Sequence, residues 1–301
     1  MLKFLTICLS TTIQRTITFP SVTLEAVNRS DKYRIDASGK AINTARVLNQ
    51  LEKSSAKIIC PLGINNKDEF LSLIKKDDLE IEYTQTSGNI RECWTLLDSC
   101  KKTTTELVVS EPLLNGDFKQ NEDEILQKID DNVSNVNCII LSGSKPLIWS
   151  EKLVVEIAKR AITNKKIFLA DYCGKDLINT INNYVPSIIK INDEEFCKTF
   201  NLEFPIKDNL LKEKIIKKSE ALNNIIVVTR GIKSTYAAEN GIFYECAIEK
   251  VQAINTTACG DSFNAGFIFE YLSSKDISAS LKKGTWCAAR NAERECPGTI
   301  I

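Results

Sequence analysis

From about residue 57 onward, short β-branched apolar runs alternate with longer stretches in which apolar residues recur every three or four positions. The runs at 56–60, 138–142, 166–171, 188–191 and 225–229 predict strands, and the stretches at 67–76, 122–133, 151–163, 194–200 and 210–222 predict amphipathic helices. Strand, helix, strand in repetition means a doubly wound, mostly parallel sheet with helices on both faces, an α/β fold whose ligands bind at the carboxyl ends of the strands. The apolar segment 2–9 predicts an opening strand, because Thr11, Thr12, Gln14 and Arg15 follow it without the small-residue cleavage pattern of a signal peptide. Two segments break the rhythm. Residues 15–35 and 89–109 read as extended pieces of mixed polarity, such as Thr16-Ile17-Thr18-Phe19 and Trp94-Thr95-Leu96-Leu97, with no helix between their halves. They predict a small separate β-sheet, a lid on the core. The expected organisation is one domain over 1–301, with lid segments at about 14–36 and 88–109 inserted in it.

Composition narrows the chemistry. The chain has no histidine, so a Ser-His-Asp triad, an HExxH zinc site and an imidazole proton shuttle are all excluded. Lys and Arg together number 39, as do Asp and Glu, and no basic run supplies a footprint for nucleic acid. Eleven cysteines are scattered without a CxxC pair, which suits reduced thiols better than a disulfide framework. No stretch approaches the roughly 18 to 20 apolar residues of a membrane span. A cytoplasmic protein with a small-molecule partner is expected.

Neither GxxxxGK[ST] nor GxGxxG occurs. The segment Asn255-Thr256-Thr257-Ala258-Cys259-Gly260-Asp261-Ser262-Phe263 instead runs small residues straight into an apolar helix. Such a turn exposes backbone N–H groups at a helix N-terminus, where an anion is favoured, and Asp261 beside it could take a proton from a hydroxyl. A plain helix N-cap explains Asp261 equally well. In Ser38-Gly39-Lys40-Ala41-Ile42-Asn43, Lys40 falls in a first helical turn, where a cation is misplaced unless an anion is present; a solvated surface lysine is the alternative. Asn192 and Glu195, at the end of an apolar strand, could hold a hydrated Mg²⁺ or its phosphates, or could simply begin a helix. Thr229 and Gly231 close a later strand with a turn that could face a nucleotide.

The order and spacing of these pieces resemble the PfkB (ribokinase-like) carbohydrate kinases, and among them the branch of 1-phosphofructokinase and tagatose-6-phosphate kinase. Residues 38–43 are similar to that branch's GGKGIN, 88–98 to its GxTRxNxTxxD with Arg91 at the arginine, and 141–144 to its LSGS. Residues 190–195 resemble KPNxxE, Thr229 with Gly231 the SxG turn, and 258–261 GAGD, the most family-specific of the set. The resemblance implies transfer of the γ-phosphoryl of ATP to a hydroxyl of a sugar phosphate with Mg²⁺, and phosphoryl transfer makes no demand for histidine. It makes Asp261 the general base and Ala258, Cys259 and Gly260 the anion hole. Lys40 and Arg91 would grip the phosphate already on the sugar, with Gly39 and Asn43 in the same substrate-side motif. Asn192 and Glu195 would organise metal, through water, and phosphates, while Thr229 and Gly231 would line the nucleotide site. Gln14 stands where the branch has an aspartate for sugar hydroxyls, and Ala258 replaces the first glycine of the anion hole. If Ala258 needs positive φ, its Cβ costs about 1 kcal/mol or more. The favoured reaction makes fructose 1,6-bisphosphate from fructose 1-phosphate. The alternatives are a kinase of tagatose 6-phosphate, fructose 6-phosphate or another sugar, or a catalytically weak kinase fold that binds a ligand. A homodimer through the lid is a further expectation, since lid strands can expose a pairing edge.

Overall fold

The alternation of apolar runs and amphipathic stretches folds as a wound sheet in the computed structural model, which describes residues 2–111 and 118–301. In chain order the described elements are β1 (Phe4–Ile7), β2 (Thr12–Phe19), β3 (Lys32–Ser38), α1 (Lys40–Leu51), β4 (Ala56–Gly63), α2 (Lys67–Lys76), β5 (Glu80–Thr86), β6 (Arg91–Asp98), β7 (Thr103–Val108), α3 (Lys119–Val133), β8 (Cys138–Ser142), α4 (Leu153–Thr163), β9 (Ile167–Asp171), α5 (Gly174–Asn183), β10 (Ile188–Asn192), α6 (Asp193–Thr199), α7 (Asp208–Leu222), β11 (Ile225–Thr229), β12 (Thr235–Glu239), β13 (Ile242–Cys246), α8 (Cys259–Ser274) and α9 (Ile277–Ala292). Nine strands form one sheet in the order β13-β12-β11-β10-β9-β8-β1-β4-β5. Pairing is parallel from β5 through to β11, and β12 and β13 add an antiparallel edge.

Both faces of the inner strands β1, β4 and β8 to β11 are dry, which is why those strands are mostly apolar at successive positions and do not alternate with polar residues. Successive side chains nevertheless part to opposite faces. Phe4, Ile58, Ile140, Ile188 and Val227 join one hydrophobic cluster with residues of α1, α2, α8 and α9. Leu5, Ile59, Ile139, Ile189 and Ile226 join the other, against α3 to α7. Among the described residues no helix is long and apolar enough to cross a membrane.

The two rhythm-breaking segments make a second sheet of four strands, in the order β3-β2-β6-β7. Its centre is a parallel pair, β2 with β6, in which Thr12 lies opposite Arg91 and Gln14 opposite Cys93. That register brings two of the expected substrate-side positions onto adjacent strands. The expected helices are present with small shifts at their ends. Four features differ from the expectation by being additional: the strand β5, the polar helix α5, the hairpin of β12 and β13, and the helix α9.

Candidate active site

The start of α8 is built by the loop before it. Asn255 is buried and ties the loop down, its Oδ1 accepting from Thr257 N at 3.0 Å and its Nδ2 donating to the Glu295 carbonyl at 2.9 Å. Ala258 then takes φ 65° and ψ 11°, the left-handed conformation that turns the chain into the helix, and it is the N-cap, without a capping side chain. Asp261 is therefore not the cap. Asn291 on α9 clamps this junction, donating to the Thr257 carbonyl at 2.8 Å and accepting from Ser262 Oγ at 3.1 Å. The helices can approach this closely because Gly266 and Gly284 lack side chains. A Cβ at Gly266 would stand 2.6 Å from the Lys283 carbonyl, and one at Gly284 would stand 2.9 Å from the Phe263 ring. Cys259 N bonds Thr256 O at 3.3 Å and Ser262 N bonds Ala258 O at 2.9 Å, so the N–H groups of Gly260 and Asp261 are the donors left for a ligand.

A cleft of about 570 Å³ opens in front of this helix end. One wall comes from the second sheet, with Thr12, Gln14, Arg91, Cys93, Trp94, Glu106 and Val108. The other comes from the large sheet and α8, with Lys190, Asn192, Glu195, Thr229 and residues 256–261. Ser38, Gly39, Lys40 and Asn43 line it where the chain passes from the second sheet into α1. Thr257 Oγ1 donates to Glu106 Oε1 at 2.6 Å, a direct tie between the two walls. Every candidate residue except Gly231 lines this one space. Gly231 is exposed in the turn after β11, where Lys233 N bonds the Arg230 carbonyl at 3.0 Å. Its φ of 58° explains the glycine as a requirement of that turn.

The acid-base character of the cleft comes from two carboxylates in different settings. Burial first, then the negative charge of Asp171, push the Asp261 carboxyl up to about 6, against the opposing pull of Lys40, Asn43 and Lys190. Burial also pushes Asp171 up, but Lys190, Lys40 and hydrogen bonds from Ser142 and Asn264 outweigh it and leave that carboxyl below its usual value. Lys190 Nζ stands 3.4 Å from Asp171 Oδ1, and the two side chains are only 7% and 1% exposed. The two environments drive the carboxyls apart, Asp171 toward the charged form and Asp261 toward the protonated one. Lys40 is the first residue of α1, with no acidic side chain in that turn to offset it. Its ammonium is raised above the ordinary value, first by Asp171, while Glu195 Oε1 lies 3.8 Å away.

Asn192 and Glu195 are at once helix start and cleft wall. Asn192 Oδ1 accepts from Glu195 N at 2.8 Å and Glu195 Oε2 accepts from Asn192 N at 2.9 Å, a complete capping box. Glu195 Oε1 is left facing the cleft. Among the described residues no group of three or more His, Cys, Asp or Glu could hold a metal ion. The donor set therefore fits a hard cation that arrives on phosphate oxygens, keeps its waters and takes one carboxylate oxygen from the protein. On the sugar side, Gln14 is buried, and its Nε2 donates to Thr95 Oγ1 at 2.9 Å and to the Cys93 carbonyl at 3.3 Å. With both amide hydrogens spent inside the sheet, Oε1 is the atom that can meet a hydroxyl.

The pfkB family carbohydrate kinase profile matches residues 7–300 of the chain. The protein belongs to that family. It is thus a phosphotransferase with an alcohol group as acceptor. This carbohydrate kinase is 26% identical over 283 residues to a 1-phosphofructokinase of Borreliella burgdorferi, covering 93% of this chain and 88% of that protein. Two solved structures share its fold at a TM-score of 0.85 each. Phosphofructokinase-2 of Escherichia coli, solved in complex with fructose-6-phosphate, is 16% identical with 99% of this chain and 96% of that one covered. A possible 1-phosphofructokinase of Thermotoga maritima is 18% identical, with 97% and 92% covered. Sequence reasoning gave no role to Asp171 or Lys190. For Asp171 the available signal was a charged residue closing an apolar strand at its carboxyl end, and for Lys190 a charge inside an otherwise apolar run.

Proposed function

We propose that this carbohydrate kinase uses ATP with Mg²⁺ to phosphorylate a sugar phosphate, with fructose 1-phosphate as acceptor and fructose 1,6-bisphosphate as product. What carries the reading is one cleft that holds a proton acceptor at a helix N-terminus, Asp261, together with a partly buried guanidinium, Arg91, able to grip a phosphate already on the sugar. Asp261 takes the proton of the sugar hydroxyl, oriented by the Asn43 amide on Oδ2. The N–H groups of Gly260 and Asp261, with Lys190 and Lys40, stabilise the charge on the phosphoryl group in flight. Arg91 and Lys40 hold the sugar's own phosphate, and Gln14 accepts from a ring hydroxyl. The Mg²⁺ neutralises charge on the nucleotide phosphates, with Glu195 as its protein-side oxygen and Asn192 setting that side chain through the capping box.

The nucleotide side starts at Thr229. Val228 pairs with Tyr236 and Thr235 with Cys246, so the end of β11 and Cys246 share a level two strands apart, about 10 Å. A depression of about 660 Å³ begins at Cys246 and runs to Lys283 and Trp286, and it is sized for a base and ribose. A lid closing from the second sheet, a homodimer through its outward surface, where Leu107 is 51% exposed, and a reducing cytoplasm for eleven free thiols complete the reading.

The test is ADP release by the purified protein over fructose 1-phosphate, fructose 6-phosphate, tagatose 6-phosphate and the unphosphorylated sugars. Fastest turnover with fructose 1-phosphate is expected. Preference for an unphosphorylated sugar would overturn the assignment of Arg91, and release confined to fructose 6-phosphate or tagatose 6-phosphate would move the acceptor. Sedimentation of the same preparation reports the dimer.

A further inference from the structure

Arg91, a candidate substrate group, already holds an anion of the protein's own at closer range than Lys40 holds Glu195. Its Nη1 lies 3.0 Å from Glu111 Oε1, and its Nη2 donates to Thr12 Oγ1 at 3.3 Å. Its Nε is buried with no hydrogen-bond partner among the described residues. The same Glu111 Oε1 also accepts from Ser10 Oγ. Two donors, one cationic and one hydroxyl, thus converge on a single carboxylate oxygen, the arrangement in which a phosphate oxygen would be bound. Arg91 faces the catalytic cleft and a second cavity of about 30 Å³ that Ser10, Asn89 and Glu111 help line, so the carboxylate reaches the guanidinium from beside the substrate space. Glu111 is 29% exposed, and among the described residues its side chain bonds only Arg91 and Ser10, so it can swing toward water.

We infer that Glu111 is a built-in competitor for the anion position at Arg91, which sets how tightly the phosphorylated end of the substrate is held. The inference rests on the reading of Arg91 as the sugar-phosphate group. With the pair formed, the guanidinium and carboxylate cancel, and an entering phosphate must take over the donors of Arg91 and Ser10 while Glu111 moves into water. Unphosphorylated sugars have nothing to exchange for that carboxylate and gain nothing from its removal. Glu111 therefore weakens phosphorylated ligands selectively.

The experiment compares the full-length protein with Glu111→Gln, Glu111→Ala, Arg91→Ala and the Arg91→Ala/Glu111→Gln double variant. Affinity for inorganic phosphate is measured by calorimetry, and KM by ADP release. Removing the charge should tighten phosphate binding and lower KM for the phosphorylated sugar roughly 2- to 5-fold, the worth of one partly exposed ion pair. KM for ATP and for free fructose should stay put, and the gain should vanish when Arg91 is absent. Glu111→Gln keeps an acceptor for Ser10 and Arg91, so if Glu111 only positions the guanidinium, Glu111→Ala alone would change, and KM would rise. That result, or a gain that persists without Arg91, overturns the inference. If no sugar phosphate is turned over by any form, the proposed function falls, while the inorganic-phosphate affinities still decide the role of Glu111.

Discussion

Asn43 Nδ2 donates to Asp261 Oδ2 at 2.9 Å, a contact between residues 218 positions apart. The orientation of the amide is fixed from its other side, because Asn43 Oδ1 accepts from Arg46 Nη1 at 3.0 Å and from Ser38 Oγ at 3.3 Å. Only the NH₂ face is left for the carboxylate. A neutral donor steers Asp261 without pairing it to a cation, so the carboxyl is aimed and keeps the basicity that burial confers.

Replacing Asp261 by Asn should therefore remove the proton acceptor with little disturbance, since an amide can still accept from Asn43. Turnover should fall about 10²- to 10⁴-fold, the usual worth of general base catalysis. Sugar-phosphate affinity, measured by calorimetry, should be largely kept. A variant retaining more than about a tenth of wild-type turnover would place the base elsewhere.

The elevated carboxyl of Asp261 fixes the pH behaviour. A base works ionised, so kcat/KM should climb through about pH 6 and level off above it. Asp171→Asn removes the neighbouring like charge and should move that limb to lower pH. Stability runs the opposite way. The folded value lies above the unfolded 3.8, so the stability contributed by this group is present below 3.8 and lost as pH rises through about 6. Asp261→Asn should accordingly stabilise the protein by about 2–3 kcal/mol at pH 8, with the gain fading below pH 4, as read from thermal unfolding at both pH values.

How far the sequence anticipated this can be judged element by element. Runs such as Ile225–Thr229 were legible because a strand buried on both faces is apolar at every position, and α2 because its apolar stripe is regular. The hairpin of β12 and β13 was missed although Asn240 and Gly241, at φ 49° and 87°, are the dipeptide such a tight turn demands. Helix α5 was missed because only Leu177 and Thr180 are buried along it, too few to make a period. Motif spacing anticipated most of the cleft, while Gly231 lies outside it in the exposed turn after β11. Lys190 and Asp171 were invisible as a pair, since only the adjacency of β9 and β10 brings them together.

Ala258 holds φ 65° at the head of α8, a conformation in which a Cβ is strained. Ala258→Gly should relieve that strain and return part of it as unfolded-chain entropy, for a net stabilisation of about 0.5–1 kcal/mol seen as a raised Tm. It also clears space beside the N–H groups of the helix end, and kcat should rise or hold. A lowered Tm would mean the methyl group of Ala258 is supported by packing.

Lys190 joins the anchor and the reacting end of the site. Its ammonium would stand 3.0 Å from a Cβ at Gly260, so the charge reaches the helix N-terminus. Lys190→Met should act in two separable ways. Loss of the cation facing the phosphoryl group should lower kcat about 10²-fold. Leaving Asp171 buried without its main partner should cost about 2–4 kcal/mol, somewhat eased by Ser142, Asn264 and Lys40. Adding Asp171→Asn to Lys190→Met removes the orphaned charge, so the double variant should regain most of the lost Tm and none of the lost kcat. Recovery of both together would show that Lys190 serves folding alone, and recovery of neither would show that Asp171 is needed for more than holding the lysine.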